Sequence, residues 1–189
     1  MFPVNVPNVL TVLRILLVPV LVVALLDATP SGDTLAAIVF AVASLTDLLD
    51  GWLARTRNAI TTFGKLMDPI ADKLLIVAAL VALVSLHRLA AWVAMVIIAR
   101  EFAVTAMRMA AGSQGVVIEA SLFGKAKTVL QIAMVLSLIA VGDARPLWLD
   151  LLVDLTVAVT VLSGVDYFLG LRRRLGERDR AAPPASDAT

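Results

Sequence analysis

Long apolar runs separated by short polar breaks dominate the chain. Six stretches, approximately 10–26, 34–54, 69–85, 89–110, 124–141 and 147–169, stand out. Each is close to the roughly 20 mainly apolar residues a helix needs to cross about 30 Å of hydrocarbon. The breaks fall at 27–33, which contains Pro30 and Gly32, and at 56–63, 86–88, 112–123 and 142–146. Within the runs Leu, Val and Ala follow one another without the two-residue alternation of barrel strands. The pattern predicts an all-α, polytopic membrane protein with six transmembrane helices.

Composition agrees. Of 189 residues, 60% are hydrophobic and 16% charged, which leaves too few polar groups to coat a water-soluble globule. The formal net charge of +1 excludes disorder and nucleic-acid binding driven by bulk charge. With no cysteine there is neither a disulfide framework nor a thiolate nucleophile. The first run carries Arg14 and has no basic region before it, unlike a cleaved signal.

The basic residues set an orientation. If both termini lie on one side, that side holds fourteen of the sixteen Lys and Arg, and only Arg88 and Arg145 lie opposite. The positive-inside rule then places both termini in the cytoplasm of a multi-pass protein of the cell membrane. Trp52, Trp92 and Trp148 fall at helix ends, as interfacial aromatics do. Residues 1–171 read as one six-helix transmembrane domain. Residues 172–189 read as a basic juxtamembrane segment (Arg172, Arg173, Arg174) with a disordered Ala/Pro/Asp tail.

Acidic residues inside membrane helices are costly and mark function. Asp47 and Asp50 stand three apart at the end of the second run, Asp68 and Asp72 four apart at the start of the third. Each pair therefore shares a helix face. The short loop between the two helices makes them antiparallel neighbours, so both pairs lie at the cytoplasmic end and the four carboxylates can converge there. Unpaired, they would repel one another; a divalent cation resolves the repulsion. An all-oxygen donor set favours Mg²⁺, then Mn²⁺ or Ca²⁺, and such sites commonly serve phosphate chemistry. The competing structural reading pairs the acids with Arg55, Lys65 and Lys73 in a surface lattice of salt bridges.

Together these residues spell Asp47-x2-Asp50-Gly51-x2-Ala54-Arg55-x8-Gly64-x3-Asp68-x3-Asp72. The pattern resembles the signature of the CDP-alcohol phosphotransferases at all of its specified positions. The resemblance implies a six-helix membrane enzyme, often a homodimer, that moves a substituted phosphoryl group from a CDP-linked donor to an alcohol and releases CMP. It implies that Asp47, Asp50 and Asp68 ligate a pair of divalent ions, Mg²⁺ or Mn²⁺. Asp72 would touch one metal and act as general base. Asp50, Gly51, Ala54, Arg55 and Gly64 would line the CDP site.

Softer motifs, the 5–14 segment, Ala99-Arg100-Glu101-Phe102 with Arg108, and Gly124-Lys125-Ala126-Lys127-Thr128 with Gln131, resemble the bacterial branch that uses glycerol 3-phosphate. The implied substrates are CDP-diacylglycerol, held in the lipid bilayer, and glycerol 3-phosphate. Phosphatidylglycerol or inositol phosphate is the alternative acceptor, and a cation transporter is a reading from another class. Transport predicts repeated halves and midplane polar groups, whereas no repeat is visible and the acids gather at one face.

An anionic acceptor needs cations beside the acid cluster. Arg100, Thr105 and Arg108 recur near four-residue spacing on one helical stripe, and Lys125 and Lys127 open the fifth helix on the same side. Arg108, Lys125 and Lys127 are the expected phosphate ligands, followed by Arg100 and Arg14. The structural alternative has Arg100 pairing with Glu101 or Asp72. Beyond about Met134 the fifth and sixth helices read as merely apolar.

Overall fold

A computed structural model describes the backbone of residues 6–57, 62–113 and 122–181, and the side chains within 9–46, 73–113, 124–174 and at 176. The described residues form six helices and no strand: α1 (Val6–Leu26), α2 (Pro30–Arg57), α3 (Thr62–Ser85), α4 (Ala91–Ser113), α5 (Leu122–Val141) and α6 (Leu147–Ala181).

The helix boundaries have local causes. The polar break between the first two runs is shorter than expected, because Pro30 begins α2 rather than blocking it. Proline at the first helical position gives up an N–H that would be unpaired there anyway. Thr29 caps the helix, its Oγ1 accepting a hydrogen bond from the Gly32 N–H at 3.0 Å. At the end of α3, the Arg88 N–H reaches back to the Leu83 carbonyl (2.9 Å) and the His87 N–H to that of Val84 (3.0 Å). This paired closure puts His87 at φ 56°, in the left-handed region. At its far end α6 continues through Arg172, Arg173 and Arg174 to Ala181 instead of stopping near residue 169. Arg, Leu, Glu and Ala are good helix formers, so the change to charged composition does not end the helix.

Among the described residues, helices α2 and α3 pack mainly on α1 rather than on each other. On the other side α6 packs against α4 and α5, and α5 against α2. The apolar core occupies one half of the bundle, at the end that carries the α1–α2, α3–α4 and α5–α6 connections. Leu21, Leu25, Phe40, Leu80, Leu83, Ile97, Met134, Leu138, Ile139 and Leu149 are fully buried there. The other half, toward the signature motif, is polar inside.

Large apolar side chains cover the outside of every helix, among them Leu16, Ile38, Val81, Met95, Val129 and Leu155. Water would not support so much exposed hydrocarbon, but lipid would. Three stretches are long and apolar enough to cross a membrane by length and composition: Val9–Leu26, Gly124–Val141 and Leu147–Arg174. Among the described residues α2 and α3 offer only shorter apolar segments, Pro30–Thr46 and Lys73–Ser85. In α4 the run is interrupted by Arg100, Glu101 and Arg108. These three charges line the interior.

Candidate functional site

Each helix contributes to one internal cavity of about 640 Å³ in the polar half of the bundle. Arg14 comes from α1, Ser44 from α2 and Lys73 from α3. Arg100, Glu101, Thr105 and Arg108 come from α4, Lys125, Lys127 and Gln131 from α5, and Ser163 and Tyr167 from α6. Six of these are cations, and Glu101 is the only acid among the described lining residues. A chamber so charged, in a low-dielectric surround, attracts an anion.

The cations differ in how far they are already engaged. Arg100 Nη1 donates to Glu101 Oε1 at 3.2 Å, and its Nη2 donates to Ser163 Oγ at 2.6 Å. Its stem crosses α6 at Gly164, where an added Cβ would lie 3.3 Å from Arg100 Cγ. Lys127 Nζ also donates to Glu101 Oε1. Glu101 therefore holds one cation from its own helix and one from α5. Arg108 sits over the ring of Tyr167, its guanidinium carbon 5.6 Å from the centroid, a cation–π contact. Among the described residues neither Arg108 nor Lys125 pairs with a carboxylate, so both retain their charge for a ligand.

All five residues expected around an acceptor phosphate, Arg14, Arg100, Arg108, Lys125 and Lys127, line this one cavity. The engagement of Arg100 matches the structural alternative, in its Glu101 form. Of the signature, Asp47, Asp50, Gly51, Ala54 and Arg55 lie in the last turns of α2, and Gly64, Asp68 and Asp72 in the first turns of α3. Their side chains lie outside the described residues. Ser44, three residues before Asp47, and Lys73, next to Asp72, both line the cavity, so the motif segments adjoin it.

The polar contribution of α6 departs from the apolar reading of that helix. Thr156, Thr160, Ser163 and Tyr167 form a buried stripe down one side of α6, and Gln131 Nε2 donates to Thr160 Oγ1 at 3.3 Å. The signal was present as polar residues recurring at four-, three- and four-residue steps within an apolar helix. The Glu101 junction could not be read that way, because it joins helices distant in sequence.

For a divalent cation, the described residues contain no group of three or more His, Cys, Asp or Glu side chains. The four signature aspartates supply the hard, anionic oxygen donors that Mg²⁺ prefers, and by that chemistry they fit such an ion.

Six helices with apolar outer faces enclose a chamber whose described lining is mainly cationic and suits an anion. Residues 4–165 match the family model of the CDP-alcohol phosphatidyltransferases. The chain belongs to that family, whose members generally depend on a divalent metal. It is 39% identical over 180 residues to the CDP-diacylglycerol–glycerol-3-phosphate 3-phosphatidyltransferase of Bacillus subtilis (strain 168), covering 87% of this chain and 93% of that one. Its identity to the enzyme of the same name from Rickettsia bellii (strain RML369-C) is 34% over 175 residues, covering 89% and 96%. With the probable phosphatidylglycerophosphate synthase of Mycobacterium tuberculosis (strain ATCC 25618 / H37Rv) it shares 40% over 177 residues, covering 91% and 84%.

Proposed function

We propose that this protein transfers the phosphatidyl group of CDP-diacylglycerol to glycerol 3-phosphate, giving phosphatidylglycerol phosphate and CMP. The observation that carries the reading is the cationic cavity adjoining the signature helices, in a chain whose relatives are named for this reaction. All six helices span the bilayer in this reading, with both termini and the active site cytoplasmic, and the protein works as a homodimer. Residues 1–171 form the catalytic unit and 172–189 its basic flank and tail.

Asp47, Asp50, Asp68 and Asp72 hold two Mg²⁺ or Mn²⁺ ions, which when bound offset the negative charge of the donor diphosphate. Asp50, Gly51, Ala54, Arg55 and Gly64 form the CDP site; the three small residues let a flat nucleotide come close to the backbone. Arg108, Lys125 and Lys127 bind the acceptor phosphate, supported by Arg100 and Arg14, and so fix the hydroxyl for in-line attack. Asp72 takes the hydroxyl proton. The new bond joins the acceptor oxygen to the phosphatidyl phosphorus, and the bond from that phosphorus to CMP breaks. CMP leaves with the electron pair, and no covalent enzyme intermediate is required.

The test is CMP release by purified protein given CDP-diacylglycerol, Mg²⁺ and one acceptor at a time. Glycerol 3-phosphate should support release. Release only with phosphatidylglycerol or inositol phosphate would replace the acceptor, and none with any acceptor would defeat the enzyme reading.

A further inference from the structure

The cavity poses a problem of its own. Lys127 from α5 and Arg100 from α4 point cationic groups at one place inside a bundle, where water screens them poorly. Two such groups repel and would swing apart unless an anion lies between them. Glu101 is that anion. A single oxygen, Oε1, accepts from both Lys127 Nζ and Arg100 Nη1. All three side chains are nearly closed off from solvent, with Glu101 and Arg100 each 12% exposed and Lys127 10%. Arg100 passes the tie on to Ser163 of α6 at 2.6 Å, and Gly164 leaves room for the Arg100 stem to cross there. One carboxylate thus fastens three helices at the cavity wall.

We propose that Glu101 is a positioning residue of the acceptor site: it fixes Lys127 at the cavity wall before the acceptor arrives. The inference rests on the functional reading above for the identity of the acceptor. Glu101 itself is an anion and a poor ligand for a phosphate. Its effect passes through Lys127, whose ammonium has three donors and commits one of them to Glu101. The remaining donors are available to phosphate oxygens, beside Arg108 and Lys125, which face the cavity without carboxylate partners among the described residues. Holding the ammonium in place in advance lowers the ordering cost of binding. The effect therefore belongs to acceptor binding and leaves the donor untouched.

The experiment measures CMP release with variants Glu101→Gln, Glu101→Asp and Lys127→Met and the double variant Glu101→Gln/Lys127→Met. Glu101→Gln should raise KM for glycerol 3-phosphate about 10-fold, the scale of one charge-assisted contact. KM for CDP-diacylglycerol should stay within about twofold, since acceptor and donor sites add independently when they share no partner. Glu101→Asp keeps the charge and should recover part of the loss. On the Lys127→Met background, adding Glu101→Gln should change the acceptor KM by less than about twofold, because its route of action is already gone.

An unchanged acceptor KM in Glu101→Gln would overturn the proposal. So would an equal rise in both KM values, or a full additional loss in the double variant. If the wild-type protein uses a different anionic acceptor, the same split is read with that one, and only the substrate assignment falls. A wild-type protein that releases no CMP with any acceptor defeats both readings.

Discussion

Arg88 grips Asp33 through two parallel hydrogen bonds, Nη1 to Oδ1 at 2.6 Å and Nη2 to Oδ2 at 2.9 Å. Arg88 is set by the closure of α3, and Asp33 sits in the first turn of α2. A third bond from Arg88 Nε reaches Asp143 Oδ1 at 3.0 Å in the α5–α6 connection. These bonds tie three helix connections together at the end opposite the cavity. Removing Arg88 would leave Asp33, whose side chain is 18% exposed, without its partner. Arg88→Ala should therefore cost about 3 kcal/mol, read as a lower Tm of the detergent-solubilised protein. Arg88→Lys keeps the charge but loses the fork, and should fall between. The Asp33 hydrogen bond pushes the Arg88 guanidinium up from its already high ordinary value. The guanidinium therefore keeps its charge as pH rises, and its share of the stabilisation is lost only above its raised range, so alkaline buffers should not loosen the tie.

Near the same end α1 and α2 approach too closely for a side chain at Gly32. An added Cβ would stand 2.5 Å from the Ala24 carbonyl oxygen, and backbone cannot move aside cheaply. Gly32→Ala should destabilise by about 1–3 kcal/mol and lower Tm. An unchanged Tm would mean that the two helices can part without cost.

Lys125 opens α5 at the cavity and pairs with no described carboxylate. Lys125→Ala should raise KM for glycerol 3-phosphate on the order of 10-fold while KM for CDP-diacylglycerol holds, by the loss of one charged contact. Equal effects on both substrates would remove Lys125 from the acceptor site.

Arg108 should behave similarly, with a further dependence on its aromatic support. Tyr167→Leu removes the ring beneath the guanidinium, a contact of about 0.5–2 kcal/mol. It should raise the acceptor KM by a smaller factor than Arg108→Ala does. A larger effect from Tyr167→Leu than from Arg108→Ala would show that the ring does more than support Arg108.

Asp72→Asn keeps the shape of the side chain and removes the base. Turnover should fall by a factor on the order of 10²–10⁴, while binding of CDP, measured by calorimetry, persists. Chelation by EDTA should abolish CMP release, and Mg²⁺ should restore it. A wild-type rate in Asp72→Asn would exclude this residue as the base, and full activity in EDTA would exclude a required metal.

How much of this was legible in the residue order depends on the distance over which each feature acts. Asp47, Asp50, Asp68 and Asp72 could be grouped from spacing alone, because helical periodicity links residues three and four apart. Arg100 and Arg108 were readable as one stripe for the same reason, and Lys125 and Lys127 from their place at the head of a run. The short connection between α2 and α3 suggests direct packing; among the described residues both lie mainly against α1, and the signature turns that would meet fall outside the described side chains. The contribution of α6 was overlooked because Ser163 and Tyr167 are mild interruptions in an apolar helix.

Helix number, apolar character and the concentration of charge at one end of the bundle follow from the order of residues, since each rests on local periodicity and transfer free energy. Which cations are already engaged before a ligand arrives was decided only by the tertiary structure. Arg100 and Lys127 are chemically as suited to a phosphate as Arg108 and Lys125. Packing of α4 against α6, with α5 alongside, brings the first pair onto Glu101 at the cavity wall and leaves the second pair lining the same cavity without a carboxylate partner among the described residues. That division is a matter of distances between helices, which no spacing along the chain encodes.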